Sequence, residues 1–244
     1  MPAIHLVDHA GAARTGRTLT RAALAALAAP AVLDTHPWRW RIEDGWADLL
    51  ADPSRVPSGA DPDGRLLTIS CGAALHHTTA ALTAAGVGVE VIRLPAGPHR
   101  MARLHYTGEV GPNEHAQRLG RAIAVRGSDR RPIGREPVPE AQLRMLQHAA
   151  EAAGARLFPL AVNPAARRPR PEGWAVITTP DTGPHNWLAT GEAISAVLLH
   201  AAAEGLVTAA ITERSATVPP TLVRRLPRGA GHPAAAVRFG IAAR

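Results

Sequence analysis

A pair of matching segments constrains the fold of this chain more than any other sequence feature. Residues 188–211, LATGEAISAVLLHAAAEGLVTAAI, align without a gap with residues 69–92, ISCGAALHHTTAALTAAGVGVEVI. Two pairs of glycines align, Gly191 with Gly72 and Gly205 with Gly86. One face recurs at the helical positions i, i+3, i+4 and i+7 in both copies. The match predicts a duplicated unit, a helix that ends at a left-handed glycine and is followed by an apolar strand.

Both copies of this helix are apolar around most of their circumference, so we expect them to be buried. Their Gly, Ala and Ser residues allow close approach of a neighbouring helix, which predicts that the two copies lie where two halves of the chain meet. The same shift places Leu143 and Leu146 on Leu24 and Leu27. Two explanations stay open at this stage, descent of both halves from one unit and similarity of Ala-rich helices by composition alone.

The composition indicates a globular protein. With 244 residues, of which 46% are hydrophobic, the chain is long enough for one large domain or two small ones. No segment reaches the roughly 18 apolar residues of a membrane span, and the N-terminal sequence lacks the pattern of a secretory signal. We therefore expect a cytoplasmic protein. The single cysteine, Cys71, excludes an intrachain disulfide and is expected to be a small buried residue.

The net charge of +7 depends on arginine, since the chain contains no lysine. A basic protein attracts anions such as phosphates. Arginine in a chain rich in Ala, Gly and Pro is typical of GC-rich codon usage, which makes the charge weak evidence for nucleic acid. Exposed aromatic residues interleaved with the basic ones, as in many single-strand binders, are not apparent. A nucleic-acid binder is therefore the weakest of the alternatives.

Helical and strand patterns are mixed along the chain without a strict βαβ order, which favours an α+β sandwich. A hairpin is predicted around Trp38, Trp40 and Ile42, with its turn at Asp44-Gly45. Further strands are predicted at 89–94, 101–106, 155–162, 174–178 and 234–240. Further helices are predicted at 19–29, 113–125, 137–153 and 218–226.

Two segments could carry chemistry. The cluster RGSDRRP at 126–132 places guanidinium groups on both sides of a serine, an arrangement that binds phosphate through paired hydrogen bonds. A solvated surface turn is the alternative. In the loop before the hairpin, Trp38 and Trp40 are expected to fill the core. Asp34 and His36 either contact a bound heterocycle or cap a turn.

No metal site is predicted, although the chain has 12 histidines. None of them has the spacing of a zinc ligand set, and the adjacent His76 and His77 are expected to point to different sides of a helix. The signatures of α/β-hydrolases, P-loop proteins and Rossmann folds are also absent.

Four segments together resemble the nitroreductase-like flavoproteins, in particular the fused Acg family. The family loop PSVHNTQPWRW corresponds to PAVLDTHPWRW at 30–40, and the family motif R-x-[ST]-x-R-R-P-F corresponds to RGSDRRPI at 126–133. WLATGEAISAVLLHAAAEGLV at 187–207 and GHPAAAVRFG at 231–240 resemble the family's long helix and final strand. The order agrees over most of the chain. The resemblance implies an α+β nitroreductase-like fold in which two related halves, 1–108 and 109–244, form a pseudo-dimer within one chain.

The resemblance also implies FMN as cofactor, bound where the halves meet, and NAD(P)H as a possible electron donor. Three residues would hold the phosphate, namely Arg126, Ser128 and Arg130. Four would border the flavin ring from the other half, namely Pro30, Ala31, Val32 and Asp34. Backbone groups near the flavin edge would come from Thr208, Ala209 and Ala210, and the basic tail of the family would correspond to Arg244. His36 is the side chain expected to relay a proton, because of its residue type.

Three positions of the loop depart from the family pattern. Ala31, Asp34 and His36 replace serine, asparagine and glutamine, which adds a carboxylate near an electron-rich cofactor. A negative charge there should disfavour the reduced anionic flavin. Two functions stay open, an FMN-dependent oxidoreductase that reduces a small organic acceptor and a non-catalytic flavin-binding or flavin-storing protein. The pseudo-dimer could act as a monomer or pair again as a homodimer.

Overall fold

The computed structural model of the chain describes residues 4–6, 15–31, 35–111, 113–126, 132–134, 136–160, 173–210 and 218–243. The elements before residue 110 are β1 Ile4–Leu6, α1 Thr15–Ala25, β2 Trp38–Glu43, β3 Trp46–Ala51, α2 Arg65–Ala84, β4 Val87–Arg93 and β5 Arg100–Glu109. The elements after it are α3 Glu114–Arg126, α4 Glu140–Ala152, β6 Arg156–Leu160, β7 Gly173–Thr179, α5 Pro184–Ala203, β8 Val207–Ala210, α6 Pro220–Val223 and β9 His232–Gly240.

Two sheets form from the two parts of the chain. The first has the strand order β1-β2-β3-β5-β4, with β1 parallel to β2 and the other neighbours antiparallel. The second has the order β6-β7-β9-β8 and is antiparallel throughout. Helix α2 packs on the first sheet, α5 packs on the second, and the two helices contact each other. The mixed α+β fold predicted from the sequence is confirmed.

The hairpin predicted at the first two tryptophans is confirmed. Trp38 pairs with Ala51 at the open end, and the strands turn through Gly45, whose φ of 78° suits a residue without a Cβ. Trp38 and Trp40 are each 3% exposed and belong to the core between the first sheet and α2. The interpretation of these tryptophans as core residues is therefore correct.

The central contact of the fold is the crossing of α2 and α5 at two glycines. A Cβ at Gly72 would lie 2.1 Å from the carbonyl oxygen of Leu188, and a Cβ at Gly191 would lie 1.9 Å from the carbonyl oxygen of Ile69. These are reciprocal contacts, because the sequence alignment matches Gly72 with Gly191 and Ile69 with Leu188. Two backbones can approach this closely only where both helices lack a side chain.

The crossing also links the two hydrophobic cores. Leu188 of α5 is fully buried in the cluster that covers the first sheet, while Ile69 of α2 is buried in the cluster that covers the second. Each central helix thus contributes an early residue to the core of the other part. Among the described residues, no helix is both long and apolar enough to cross a membrane.

The predicted glycine ends of the two central helices are confirmed. Gly86 has a φ of 73° and Gly205 a φ of 75°, and their N–H groups donate to the carbonyls of Thr83 and Ala202 at 3.0 Å. A left-handed residue stops the helical hydrogen-bond pattern here and turns the chain into the next strand. The strand after each helix, β4 or β8, follows directly.

Several predicted boundaries are wrong. The helix expected at 19–29 begins at Thr15 and continues from Ala26 as a 3-10 turn, and the hydroxyl of Thr20 donates to the carbonyl of Gly16 at 2.8 Å. The helix expected from residue 137 begins at Glu140, because Pro139 holds an extended conformation and disfavours a helical residue before it. Parts of two predicted strands, 161–162 and 211, lie outside the described residues.

Replacing Gly191 by alanine tests the central crossing. In an open helix this change would be stabilising by up to about 1 kcal/mol. Here the new methyl group overlaps the Ile69 carbonyl, and we expect a loss of about 3 kcal/mol or more in the free energy of unfolding, at the upper end of overpacking effects. Urea denaturation measures this change.

Gly16→Ala is the matched control, since a Cβ at Gly16 in α1 meets nothing within 4 Å. We expect its free energy of unfolding to be unchanged or slightly raised. Equal effects of the two substitutions would contradict the close crossing of α2 and α5.

Candidate functional site

The predicted phosphate motif begins where α3 ends. Arg126 is the last residue of that helix, and its side chain, together with Ser128 and Arg130, lies outside what the structure describes. Residues 132–134, at the end of the motif and just after it, are hydrogen-bonded to residues 241–243. The N–H of Gly134 donates to the carbonyl of Ile241 at 2.7 Å, and the N–H of Ala243 donates to the carbonyl of Pro132 at 2.8 Å.

The predicted flavin-edge segment attaches to the same place. Thr208, Ala209 and Ala210 belong to β8, whose first residue pairs with Gly240 at the end of β9. A Cβ at Gly240 would lie 2.3 Å from Cγ2 of Ile133, so a glycine lets the motif's last residues pack against the strand. The structure therefore brings the end of the arginine motif and the beginning of β8 together around Gly240. Arg244 lies outside the described residues.

The third predicted group, the loop after α1, is partly described. Pro30 is half-buried and Ala31 is 3% exposed, whereas Val32 and Asp34 lie outside the described residues. His36 is half-buried and has a φ of 45°, a conformation that is uncommon for a residue with a side chain and occurs often at functional sites. Its ring lies edge-on to Trp38, with 5.3 Å between the ring centroids.

Packing connects this loop with the arginine motif. Ala28, just before the loop, and Ile123, just before the motif, contact one apolar cluster together with Leu199 of α5. The helices that lead into the two predicted flavin-binding segments are therefore neighbours. Among the described side chains, His36 and Thr208 share no hydrogen bond, and the structure does not join these two predicted groups directly.

Sequence reasoning missed a cavity of about 600 Å³ between α2, α3, α4, α5 and β4. Four histidines line it, from four different helices, namely His76, His115, His148 and His200. Two sequence features could have indicated this cavity, the adjacent His76 and His77 and the internal repeat. Shifted by the repeat interval, the predicted flavin-bordering segment 30–34 corresponds to 149–153, and Ala149, Ala152 and Ala153 line this cavity.

A shared hydroxyl joins the two adjacent histidines of α2. Oγ of Ser195 lies 2.7 Å from Nδ1 of His76 and 2.6 Å from Nδ1 of His77. The expectation that these histidines diverge is wrong in this respect, since both rings reach one residue of α5. Nδ1 of His77 also lies 3.2 Å from the carbonyl oxygen of Ala73.

Further polar groups of the cavity come from α5, α3 and β4, in addition to Arg144 and His148 of α4. Nδ1 of His200 donates to the carbonyl of Ala196 at 2.8 Å, and the rings of His200 and His115 lie 5.3 Å apart. Nε of Arg93 donates to the carboxylate of the buried Glu192 at 2.9 Å. Among the described residues, no group of three His, Cys, Asp or Glu side chains could hold a metal ion.

Burial decides the charge of these groups. It lowers the pKa of His76 from 6.5 to about 4, and the nearby His200 contributes to this shift. Burial also lowers the pKa of His200, against the opposing effect of its hydrogen bond to Ala196. The pKa of Glu192 is raised by burial and lowered by Arg93, with burial the larger effect. At pH 7 the rings of His76 and His200 are therefore neutral.

The chain is similar to several proteins of Mycobacterium tuberculosis. A protein named "Putative NAD(P)H nitroreductase Rv3131" is 35% identical over 134 residues, which are 54% of this chain and 39% of that protein. Another, named "Putative NAD(P)H nitroreductase acg", is 34% identical over 121 residues, 48% of this chain and 37% of that protein. The matched part is less than two fifths of either relative. No family model matches the chain.

Together with the mixed α+β fold, these matches show that the chain is nitroreductase-like. Within that class it is similar to the Acg type, which confirms the resemblance inferred from the four sequence motifs.

The depressed pKa of His76 predicts a pH dependence of stability. The unfolded chain takes up this proton near pH 6.5 and the folded chain only near pH 4, so the folded state loses stability as the pH falls through this range. The full shift corresponds to a loss of about 3 kcal/mol. We expect His76→Phe to remove most of this loss in denaturation curves recorded from pH 7 to pH 4.

His148→Phe is the matched control, because the His148 side chain is 77% exposed. It should keep the pH dependence of the unmodified protein. Parallel pH profiles for His76→Phe and the unmodified protein would show that the ring of His76 is not held neutral by the fold.

Proposed function

We propose that this chain is an FMN-dependent oxidoreductase of the nitroreductase type, which passes two electrons from NAD(P)H to a small organic acceptor. The observation that carries the proposal is that the end of the arginine motif, residues 132–134, lies beside the strand end at Gly240 with which β8 pairs, in a chain similar to proteins named as NAD(P)H nitroreductases. Since the match spans less than two fifths of those relatives, the activity is inferred for this chain from its own residues as well.

The donor set fits a phosphorylated cofactor. The sequence RGSDRRP contains three arginines, one serine and one aspartate. Its net charge is therefore positive, which suits a phosphate dianion. The backbone hydrogen bonds of Pro132 and Gly134 hold the end of this segment in place. In this proposal Arg126, Ser128 and Arg130 bind the phosphate, and Arg244 adds a further positive charge.

The remaining residues shape the environment of the ring. Pro30, Ala31, Val32 and Asp34 border it on one side, and the backbone of Thr208, Ala209 and Ala210 contacts its edge. When bound, FMN supplies the hydride chemistry of the reaction. The protein's part is to hold the ring, exclude water and supply a proton, for which His36 is the proposed group because its unusual backbone conformation fixes the imidazole beside Trp38.

We propose further that 1–108 and 109–244 are two related halves and form a pseudo-dimer. The reciprocal approach of Gly72 to Leu188 and of Gly191 to Ile69 supports this interpretation, since equivalent residues of a duplicated unit make equivalent contacts.

A second function, flavin binding without turnover, is favoured by one observation. Asp34 stands where the related loop has a neutral asparagine, and a carboxylate beside the ring disfavours the reduced anionic form.

FMN binding is tested by titrating the purified chain with FMN and with riboflavin, which lacks the phosphate. We expect FMN to bind more tightly. Arg130→Ala should weaken FMN binding about tenfold to a hundredfold, the effect of one charge-assisted hydrogen bond, and should leave riboflavin binding nearly unchanged. Changes in flavin absorbance and fluorescence report both affinities.

Arg118→Ala is the matched control, because Arg118 is exposed on α3 and the substitution removes the same charge outside the proposed phosphate motif. It should bind FMN like the unmodified chain. A protein that binds neither flavin, or that loses FMN equally in both variants, would contradict the proposed phosphate site.

Turnover separates the two functions. Under anaerobic conditions, we expect NADPH or NADH to bleach the absorbance of the bound flavin within seconds, and a quinone or nitroarene to restore it. Stopped-flow absorbance measures both phases. Bound flavin that NAD(P)H leaves unchanged would favour the storage protein over the oxidoreductase.

A further inference from the structure

None of the residues proposed to bind FMN is among the described residues that line the histidine-lined cavity. We propose that it is a second binding site, which takes a neutral planar heterocycle with a cyclic amide. The proposal does not depend on flavin binding, because it uses only residues of α2, α3, α4, α5 and β4.

The charges around the cavity favour a neutral ligand. Of the two arginines that line it, Arg93 is paired with Glu192, and Arg144 is paired with Glu140 one helical turn away. His148 at the exposed rim is paired with Glu151. Each of the two arginines therefore already has a carboxylate partner, and a charged ligand would have to compete with that partner or be buried without one.

The hydrogen bond of His200 to Ala196 determines which of its ring nitrogens can accept a hydrogen bond from a ligand. Its Nδ1 must carry the proton, because the carbonyl of Ala196 can only accept a hydrogen bond. In the neutral ring, Nε2 carries no proton and can accept a hydrogen bond. His200 lines the cavity, so this acceptor is available to an N–H donor of a ligand.

The hydrogen bonds of His76 fix the complementary group. Nδ1 of His77 carries a proton, since the carbonyl of Ala73 needs a donor, and it also donates to Ser195. The hydroxyl of Ser195 then donates to Nδ1 of His76. This leaves the proton of the neutral His76 ring on Nε2, which becomes a donor for a carbonyl oxygen in the cavity that the ring lines.

His76 as a donor and His200 as an acceptor, which line the same cavity, match the C=O and N–H of a cyclic amide. Opposite them, α4 presents a wall of small or flexible apolar side chains, to which Met145, Ala149 and Ala152 contribute. Such a wall accepts a flat ring without steric conflict, and the volume of about 600 Å³ accommodates a bicyclic molecule.

The test uses two ligands on the full chain, 2-quinolone and N-methyl-2-quinolone. They have the same bicyclic ring and carbonyl, and only the first has the N–H. We expect 2-quinolone to bind about tenfold more tightly, the usual effect of leaving a buried acceptor without its hydrogen bond. Isothermal titration calorimetry at pH 7.5 measures both affinities. Equal affinities, or no binding of either compound, would overturn the proposal.

His200→Phe keeps a ring and removes the acceptor. It should lower the affinity for 2-quinolone to that for the N-methyl compound, while His185→Phe, at an exposed position of the same helix that is not in the cavity lining, leaves both unchanged. Circular dichroism confirms that each variant is folded, and the ligand comparison in the unmodified chain stands without them. FMN affinity should be the same in both variants, so failure here is distinct from failure of the proposed function.

The pH dependence gives an independent readout. Protonation of His200 removes the acceptor, and its pKa is lowered by burial and by His115, while the nearby Glu204 acts in the opposite direction. Three other charged groups line the cavity, namely Arg93 and Arg144, each paired with a carboxylate, and Glu192, whose pKa is raised by burial and lowered by Arg93, and the measurement covers pH 6.5 to pH 8. Affinity for 2-quinolone should stay constant in this range and fall only below it. A rise in affinity on acidification would indicate an anionic ligand mode and contradict the proposal.

Discussion

The crossing of α2 and α5 is the contact on which the rest of the structure depends. At Gly72 and Gly191 each backbone lies where a side chain would otherwise project, so the helices meet closely and at a fixed point. That contact sets the position of the two sheets, because each helix packs on one of them and contributes Ile69 or Leu188 to the core of the other part. The histidine-lined cavity lies between these two helices and their neighbours, and β8 follows α5 directly.

Desolvation is the second constraint that shapes the molecule. Buried imidazoles are held neutral, the carboxylate of Glu192 is paired with Arg93, and the thiol of Cys71 has a raised pKa because it is completely buried. Cys71 is therefore a core residue and not a reactive one, as its place in the helical pattern indicates. The cavity and the candidate flavin region differ in charge. The arginines that line the cavity are paired with carboxylates, whereas the arginine motif has an excess of positive charge.

Patterns of short range predicted the elements well. The alternation of Trp38, Trp40 and Ile42 and the turn at Gly45 specify the hairpin through local backbone and side-chain preferences. The predicted first residues of the helices were less accurate, because the conformation of Pro139 and the first turn at Thr15 depend on several weak interactions. The shared bond of His76 and His77 to Ser195 could not be read from the chain, because it joins residues more than a hundred positions apart.

The sequence alone determined the duplicated helix with its terminal glycines and the mixed α+β class, because periodicity and glycine act on the local backbone. It also determined the similarity to Acg-type proteins, because linear motifs can be compared residue by residue. Only the tertiary structure decided which helix faces meet, that the arginine motif ends beside β8 at Gly240, and that four histidines from four helices enclose one cavity. The physical reason is that side-chain burial and long-range hydrogen bonds arise from packing. They set the tautomer and charge of His76 and His200, which no spacing along the chain specifies.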